Sequence, residues 1–240
     1  MGQRTSRLAA AVSQLRPWYE PDAQFMWNAP QDTDTATVDP VLGGQLAKTS
    51  SGAATISGNY WDMTGSVYNS ANGLVSTFSL NNPFLLAVVC DKNNEASSFA
   101  RLIYFGNEAT DSVSFGTGNA ATNPVFRLYM AGAALGGVTY ASQATWSAKG
   151  TALVHWFDFD PTDGTNTILA GVNSTTTTSS GLLAPPAGRT MSRNTSFGNS
   201  SGTSGLSSIL QGQVQLVSRA GLTRAQKAQI VANMKAKAGI

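Results

Sequence analysis

The residues best placed to do chemistry lie together in HWFDFDPTDG, from His155 to Gly164. This stretch holds the chain's one histidine and its last three acids, Asp158, Asp160 and Asp163. Asp158 and Asp160 are two apart on a predicted strand, so both project from one face. Paired carboxylates are what glycosidic cleavage uses. Three carboxylates before a turn glycine also suit calcium, which takes about six to eight oxygens. The third acid arrives one residue late for an EF-type loop, however, and no Glu closes it. A hairpin explains the same residues with less. Pro161 presets a turn, Asp163-Gly164 accommodates a left-handed residue, and apolar strands flank both sides. On that reading His155, on the face of Phe157 and Phe159, is a packed side chain. No catalytic, cofactor or metal role is then assigned, and the chain is expected not to be an enzyme. Melting curves with excess calcium and with chelator should overlay. A calcium-dependent shift that vanishes in Asp160→Ala would restore the metal loop.

Two further matches are accidents of composition. Gly198 to Gly202 fits G-x-S-x-G, yet no acid or histidine follows it, as a hydrolase of that order requires. Gly116-Thr117-Gly118 imitates a dinucleotide loop but runs into Thr122-Asn123-Pro124 where a helix must begin. The five tryptophans, Trp18, Trp27, Trp61, Trp146 and Trp156, are the remaining resource, since indoles stack on sugar rings. Spacing selects none of them, so no glycan-binding residue is named.

These residues need a scaffold, and composition points to strands. Charged residues are 12% of the 240, about half the usual share, and Ser, Thr, Gly and Asn take their place. Short apolar runs between turn residues recur: Phe84 to Asp91, Arg101 to Gly106, Ser112 to Gly116, Val125 to Met130, Leu153 to Asp160, Ile168 to Val172 and Gln213 to Ser218. Ile56, Tyr60 and Trp61 fit strands upstream. PFLLAVVCD is apolar throughout, which predicts a strand buried on both faces with Cys90 in the core. No apolar run approaches the ~18 residues of a membrane helix.

All thirteen acids lie at or before Asp163, while seven bases follow it: Arg189, Arg193, Arg219, Arg224, Lys227, Lys235 and Lys237. They are scattered without aromatic interleaving, which argues against nucleic acid. Internal pairing of the two halves, or an acidic neighbour subunit, is the expected use.

Helices are expected only at the ends. Leu8, Ala11, Val12 and Leu15 form one stripe before Pro17. Near the other end Thr223 caps a helix over 223–238, with Ile230, Val231 and Met234 as its apolar side and Gly239 closing it. The division is an arm at 1–17 and one domain at 18–240.

The order PFLLAVVCDK, RLIYFGNE, FRLYM, LVHWFDFDPTDGTNTILAGVN, TSFGN and ILQGQVQLVSRAGLTRAQKAQIVANMKAKAG resembles the concanavalin A-like lectin/glucanase superfamily, notably laminin-G-type domains and relatives in bacteriophage structural proteins. The resemblance implies an all-β antiparallel jelly-roll sandwich, here with a short N-terminal helical arm and a C-terminal helix. The alternating Glu, Asp, Glu of the glucanases is absent from this sequence. It also implies a virion structural protein displayed at the virion surface, such as a capsid decoration or a fibre. Other virion proteins would be its partners through the arm (Arg4, Arg7, Leu8, Val12, Leu15), with a homo-oligomer and host-surface polysaccharide as further expectations. A free carbohydrate-binding module is the alternative, and a glycan-cleaving enzyme the third reading.

Overall fold

A computed structural model describes residues 20–29, 32, 36–38, 40–43, 45–48, 54–63, 68–70, 77–94, 101–106, 111–117, 124–130, 138–141, 151–180, 189–192, 195–197 and 208–240. In chain order the strands are β1 (Ala23–Asn28), β2 (Thr37–Val38), β3 (Leu46–Lys48), β4 (Thr55–Ser57), β5 (Tyr60–Asp62), β6 (Tyr68–Ser70), β7 (Thr77–Ser79), β8 (Phe84–Asn94) and β9 (Arg101–Gly106). Then come β10 (Asp111–Thr117), β11 (Pro124–Met130), β12 (Val138–Ala141), β13 (Leu153–Phe159), β14 (Ile168–Val172), β15 (Thr175–Ser180), β16 (Thr190–Ser192), β17 (Thr195–Phe197) and β18 (Ser208–Ser218). The helix α1 (Arg224–Ala238) follows.

Two antiparallel sheets hold most of these strands. The first runs β15-β14-β13-β8-β18-β5-β4, with β1 also paired to β18; the second runs β12-β11-β10-β9-β17-β6-β3-β2. β7 and β16 form a separate pair. Rings meet across the interior: Phe25 on Phe105 at 5.4 Å, Trp27 on Phe197 at 5.2 Å, Phe157 on Phe126 at 5.6 Å. The chain is thus an antiparallel β-sandwich, as expected. The Ser/Thr-rich stretch after Asn173 supplies β15 and β17, which pair into the two sheets, and β16. Among the described residues no helix is long and apolar enough to cross a membrane.

β8 explains its own unbroken apolar run. Phe84, Leu86, Val88 and Cys90 enter the core between the sheets. Leu85, Ala87 and Val89 enter a second core, where Ile230, Val231 and Met234 of α1 cover the sheet's outer face. Successive strand residues point to opposite faces, so only a strand covered on both sides can be apolar at every position. β8 and β18 run further than expected, to Asn94 and from Ser208.

α1 begins and ends as its sequence dictates. Thr223 Oγ1 accepts the Gln226 N–H at 3.2 Å, and Gln226 Oε1 accepts the Thr223 N–H at 2.9 Å, a reciprocal cap. Gly239 closes it at φ 75°, a left-handed conformation in which glycine pays no side-chain penalty. The expected N-terminal arm, with Arg4, Arg7, Leu8, Val12 and Leu15, lies outside the described residues.

His155 faces the core from β13, 1% exposed, with its ring 5.1 Å from Phe115. Burial lowers its pKa from 6.5 to about 3. The unfolded chain therefore takes up a proton that the fold refuses over that interval. Stability from this site is complete above about 6.5 and falls as pH drops towards about 3, by at most ~1.4 kcal/mol per pH unit. His155→Gln should flatten that part of a Tm-against-pH curve. An acid limb identical in both proteins would refute this.

Candidate functional site

The stretch from His155 to Gly164 divides between three roles. β13 ends at Phe159, so Asp160 begins a loop over residues 160–167, its N–H donating to the Thr167 carbonyl at 2.8 Å. The Asp160 carboxylate accepts from the N–H and the hydroxyl of Thr162, at 3.0 and 2.7 Å. Asp163 accepts the N–H groups of Asn166 and Thr165, at 2.9 and 3.0 Å. The Asn166 N–H foremost holds its carboxyl below the ordinary value. β13 and β14 do form a hairpin, as expected, but its turn differs in detail. Gly164 is not left-handed; Asn173, in the next turn, is, at φ 52°. Among the described residues no three His, Cys, Asp or Glu side chains gather as metal ligands.

Asp158 leaves the other two acids and faces α1. Its carboxylate pairs with the Lys227 ammonium, and Arg224 approaches at 3.7 Å. Arg224 also reaches Asp163 at 3.1 Å and donates to the Asn166 carbonyl. Lys227 donates in addition to the Phe159 carbonyl at 3.0 Å. Both members of the Asp158–Lys227 pair are buried, their side chains 5% and 2% exposed. Burial pushes the carboxyl up and the ammonium down, and their mutual attraction opposes both shifts. The internal charge matching expected from the sequence extends further: Arg189 binds Asp111 at 2.8 Å, and Arg219 reaches Glu20 and Asp22 at 3.0 and 3.1 Å.

The pairs made by Arg224 and Lys227, with the apolar contacts of Ile230, Val231 and Met234, hold α1 across the outer face of the first sheet, and a groove of about 350 Å³ lies between helix and sheet. Its sheet side carries Leu85, Trp156 and Leu169; its helix side carries Ala228, Val231 and Ala232. Polar residues rim it: Asn173, Ser174 and Thr176 on the β14–β15 side, Arg224 and Lys235 on α1, with Asp158 and Lys227 beneath. The surface exposed in the groove is mainly apolar although seven of its thirteen lining residues are polar, and apolar walls with polar groups among them are the usual make-up of a small-molecule site.

Trp156 is held rigidly here. It pairs with Gly171 across the β13–β14 ladder. A Cβ on Gly171 would lie 2.3 and 2.6 Å from indole carbons and 2.2 Å from the Thr175 carbonyl oxygen. Glycine is thus required where the indole crosses the strand. The Trp156 Nε1–H donates to the Asn173 carbonyl at 2.9 Å. Asn173 is anchored in turn: its N–H donates to the Val154 carbonyl at 2.8 Å, and its Oδ1 accepts the Val154 N–H at 3.1 Å. The other tryptophans described serve the core. Trp27 and Trp61 are buried, both bonded through Nε1–H to Asp32, which corrects any reading of them as sugar platforms. Trp18 and Trp146 lie outside the described residues. Trp156 was one candidate of five in the sequence; Gly171 opposite it was the available signal, readable only once the hairpin register is known.

No family model matches the sequence, and no curated protein matches it. Solved structures do share the fold. A Trypanosoma rangeli sialidase in complex with sialic acid superposes with a TM-score of 0.59 at 11% identity, over 90% of this chain and 34% of the sialidase. The same enzyme with 2,3-difluorosialic acid, as a covalent intermediate, gives 0.61 at 12% identity, over 91% and 33%. Domain 4 of AbnA, a GH43 extracellular arabinanase from Geobacillus stearothermophilus, solved with arabinotriose, gives 0.53 at 11% identity, over 89% of this chain and all of that domain. The chain spans about a third of the sialidases' length. These likenesses agree with a lectin/glucanase-like sandwich, and they lend no support to a phage particle.

They also correct the expectation that the chain is not an enzyme. That expectation rested on the hairpin reading of Asp158, Asp160 and Asp163, on the rejected serine-hydrolase match and on a missing Glu-Asp-Glu strand, each of which speaks to one catalytic geometry alone. Sandwiches of this fold occur in sialidases and in a GH43 arabinanase.

Proposed function

We propose that this chain is a glycan-recognising β-sandwich domain that takes a saccharide into the groove between α1 and the β13–β15 hairpins. The observation that carries this is Trp156, the tryptophan of the described set that is part-exposed, clamped by Gly171 and Asn173 and lining a groove with a polar rim. Sugars present an apolar C–H face that stacks on an indole, while their hydroxyls bond to the surrounding amides, hydroxyls and cations. The AbnA domain, matched over its whole length and solved with arabinotriose, supports the reading.

Retention on immobilised polysaccharides tests it. The wild-type protein should be retarded by at least one polysaccharide, and Trp156→Ala should run as on an inert matrix while keeping a cooperative melt. Retention unchanged in Trp156→Ala would overturn the assignment. Release of reducing sugar in the same experiment would support glycan cleavage, the reading favoured by the sialidase likeness.

The finer reading is display on a virion through an arm at residues 1–17: the sequence resemblance supports the virion, and the small apolar stripe of Leu8, Ala11, Val12 and Leu15, which needs something to pack on, supports the arm. It requires the protein in purified particles, and its loss from them on deletion of residues 1–17 or in Leu8→Asp.

A further inference from the structure

The geometry points to a carboxylated saccharide, a hexuronate or similar acidic sugar, as the ligand of this groove, with Lys235 as the residue that selects the carboxylate. The inference rests on the groove reading above and adds the chemical class of its occupant.

The charge arrangement around α1 carries it. Arg224 and Lys227, the two other cations of the groove, already have acids: Asp158 and Asp163 balance them. Arg189 and Arg219 are likewise matched elsewhere by Asp111, and by Glu20 and Asp22. Lys235 also lines the groove, and among the described residues no ion pair includes its ammonium. One positive charge is therefore left over at a part-enclosed apolar site. A neutral sugar would leave it unused. A carboxylate would meet it in surroundings drier than bulk water, where charge-assisted hydrogen bonds are strongest. Ser174 and Asn173, on the opposite rim, remain for the hydroxyls.

A structural role for Lys235 makes a different prediction. A cation in the last helical turn favours the helix dipole by a fraction of a kcal/mol, with or without ligand. Substitution would then move the melting temperature slightly and leave ligand preference alone.

The experiment uses the full chain and three series of hexuronate oligosaccharides (gluco, galacto and manno), each beside its carboxyl-reduced counterpart of equal length. Calorimetry at low salt should show one acidic series binding about tenfold more tightly than its reduced form, the size of one charge-assisted contact. The preference should shrink with added salt. Lys235→Met should abolish the preference without weakening the reduced sugar, and Lys235→Arg should keep it. Equal binding of acid and reduced forms, with Trp156 still needed, would overturn this proposal and leave the groove reading standing. A preference that survives in Lys235→Met would also overturn it. No binding in any series would overturn this proposal and leave the groove reading to the polysaccharide retention test, whereas binding indifferent to Trp156→Ala would remove both.

Discussion

Lys227→Ala is expected to lower the unfolding free energy by about 3–5 kcal/mol, the usual cost of stripping one partner from a buried ion pair. Its ammonium serves the Asp158 carboxylate and the Phe159 carbonyl together, and both side chains of the pair are buried. Arg224, 3.7 Å from Asp158 and shared with Asp163, is a poor substitute. Burial already opposes the Asp158 charge, so removal of Lys227 leaves that opposition unanswered. Removing both charges should behave differently. Lys227→Met with Asp158→Leu should be near neutral, because the desolvation cost disappears with the attraction. Urea midpoints at unchanged m measure both. A loss below about 1 kcal/mol in Lys227→Ala would mean the pair behaves like one at the surface. α1 would then be held chiefly by Ile230, Val231 and Met234.

Gly171→Ala should damage the fold and the groove together. The added methyl would lie 2.2 Å from the Thr175 carbonyl oxygen and 2.3 Å from the indole of Trp156. The first belongs to a paired backbone, and the second is tethered to Asn173, so neither yields without breaking a hydrogen bond. Overpacking of this kind costs about 1–3 kcal/mol. The indole is the softer of the two and should tilt into the groove, so glycan retention should fall even at temperatures where the protein stays folded. Unchanged stability with unchanged retention would show that the indole has room the structure denies it.

The two kinds of result, stability and site, were unequally legible in the sequence. Apolar periodicity is local, so β9, β13 and β14 could be placed nearly to the residue. The run PFLLAVVCD announced a strand covered on both faces, and Thr223 with Gly239 announced the ends of α1. Asp158 was visible as an acid but not as a partner of Lys227, because the two are brought together only when α1 folds back over the sheet. Their nearness depends on packing between elements, and no spacing records it. Trp156 was hidden for a related reason. In sequence it resembles Trp27 and Trp61, and what separates them is which face each strand turns to the core. The turn at Asp163-Gly164 was read too simply: side-chain acceptance by Asp160 and Asp163 shapes that loop, and the left-handed residue falls at Asn173.

The central claim is that a saccharide sits against Trp156, and indole N–H resonances test it directly. In a two-dimensional nitrogen–proton spectrum each tryptophan gives one such signal. During titration with a polysaccharide fragment that retains the protein, the Trp156 signal should move progressively and saturate. Those of Trp27 and Trp61, both buried and bonded to Asp32, should hold still. A saturating titration that leaves the Trp156 signal in place, or moves Trp27 and Trp61 instead, would contradict the account.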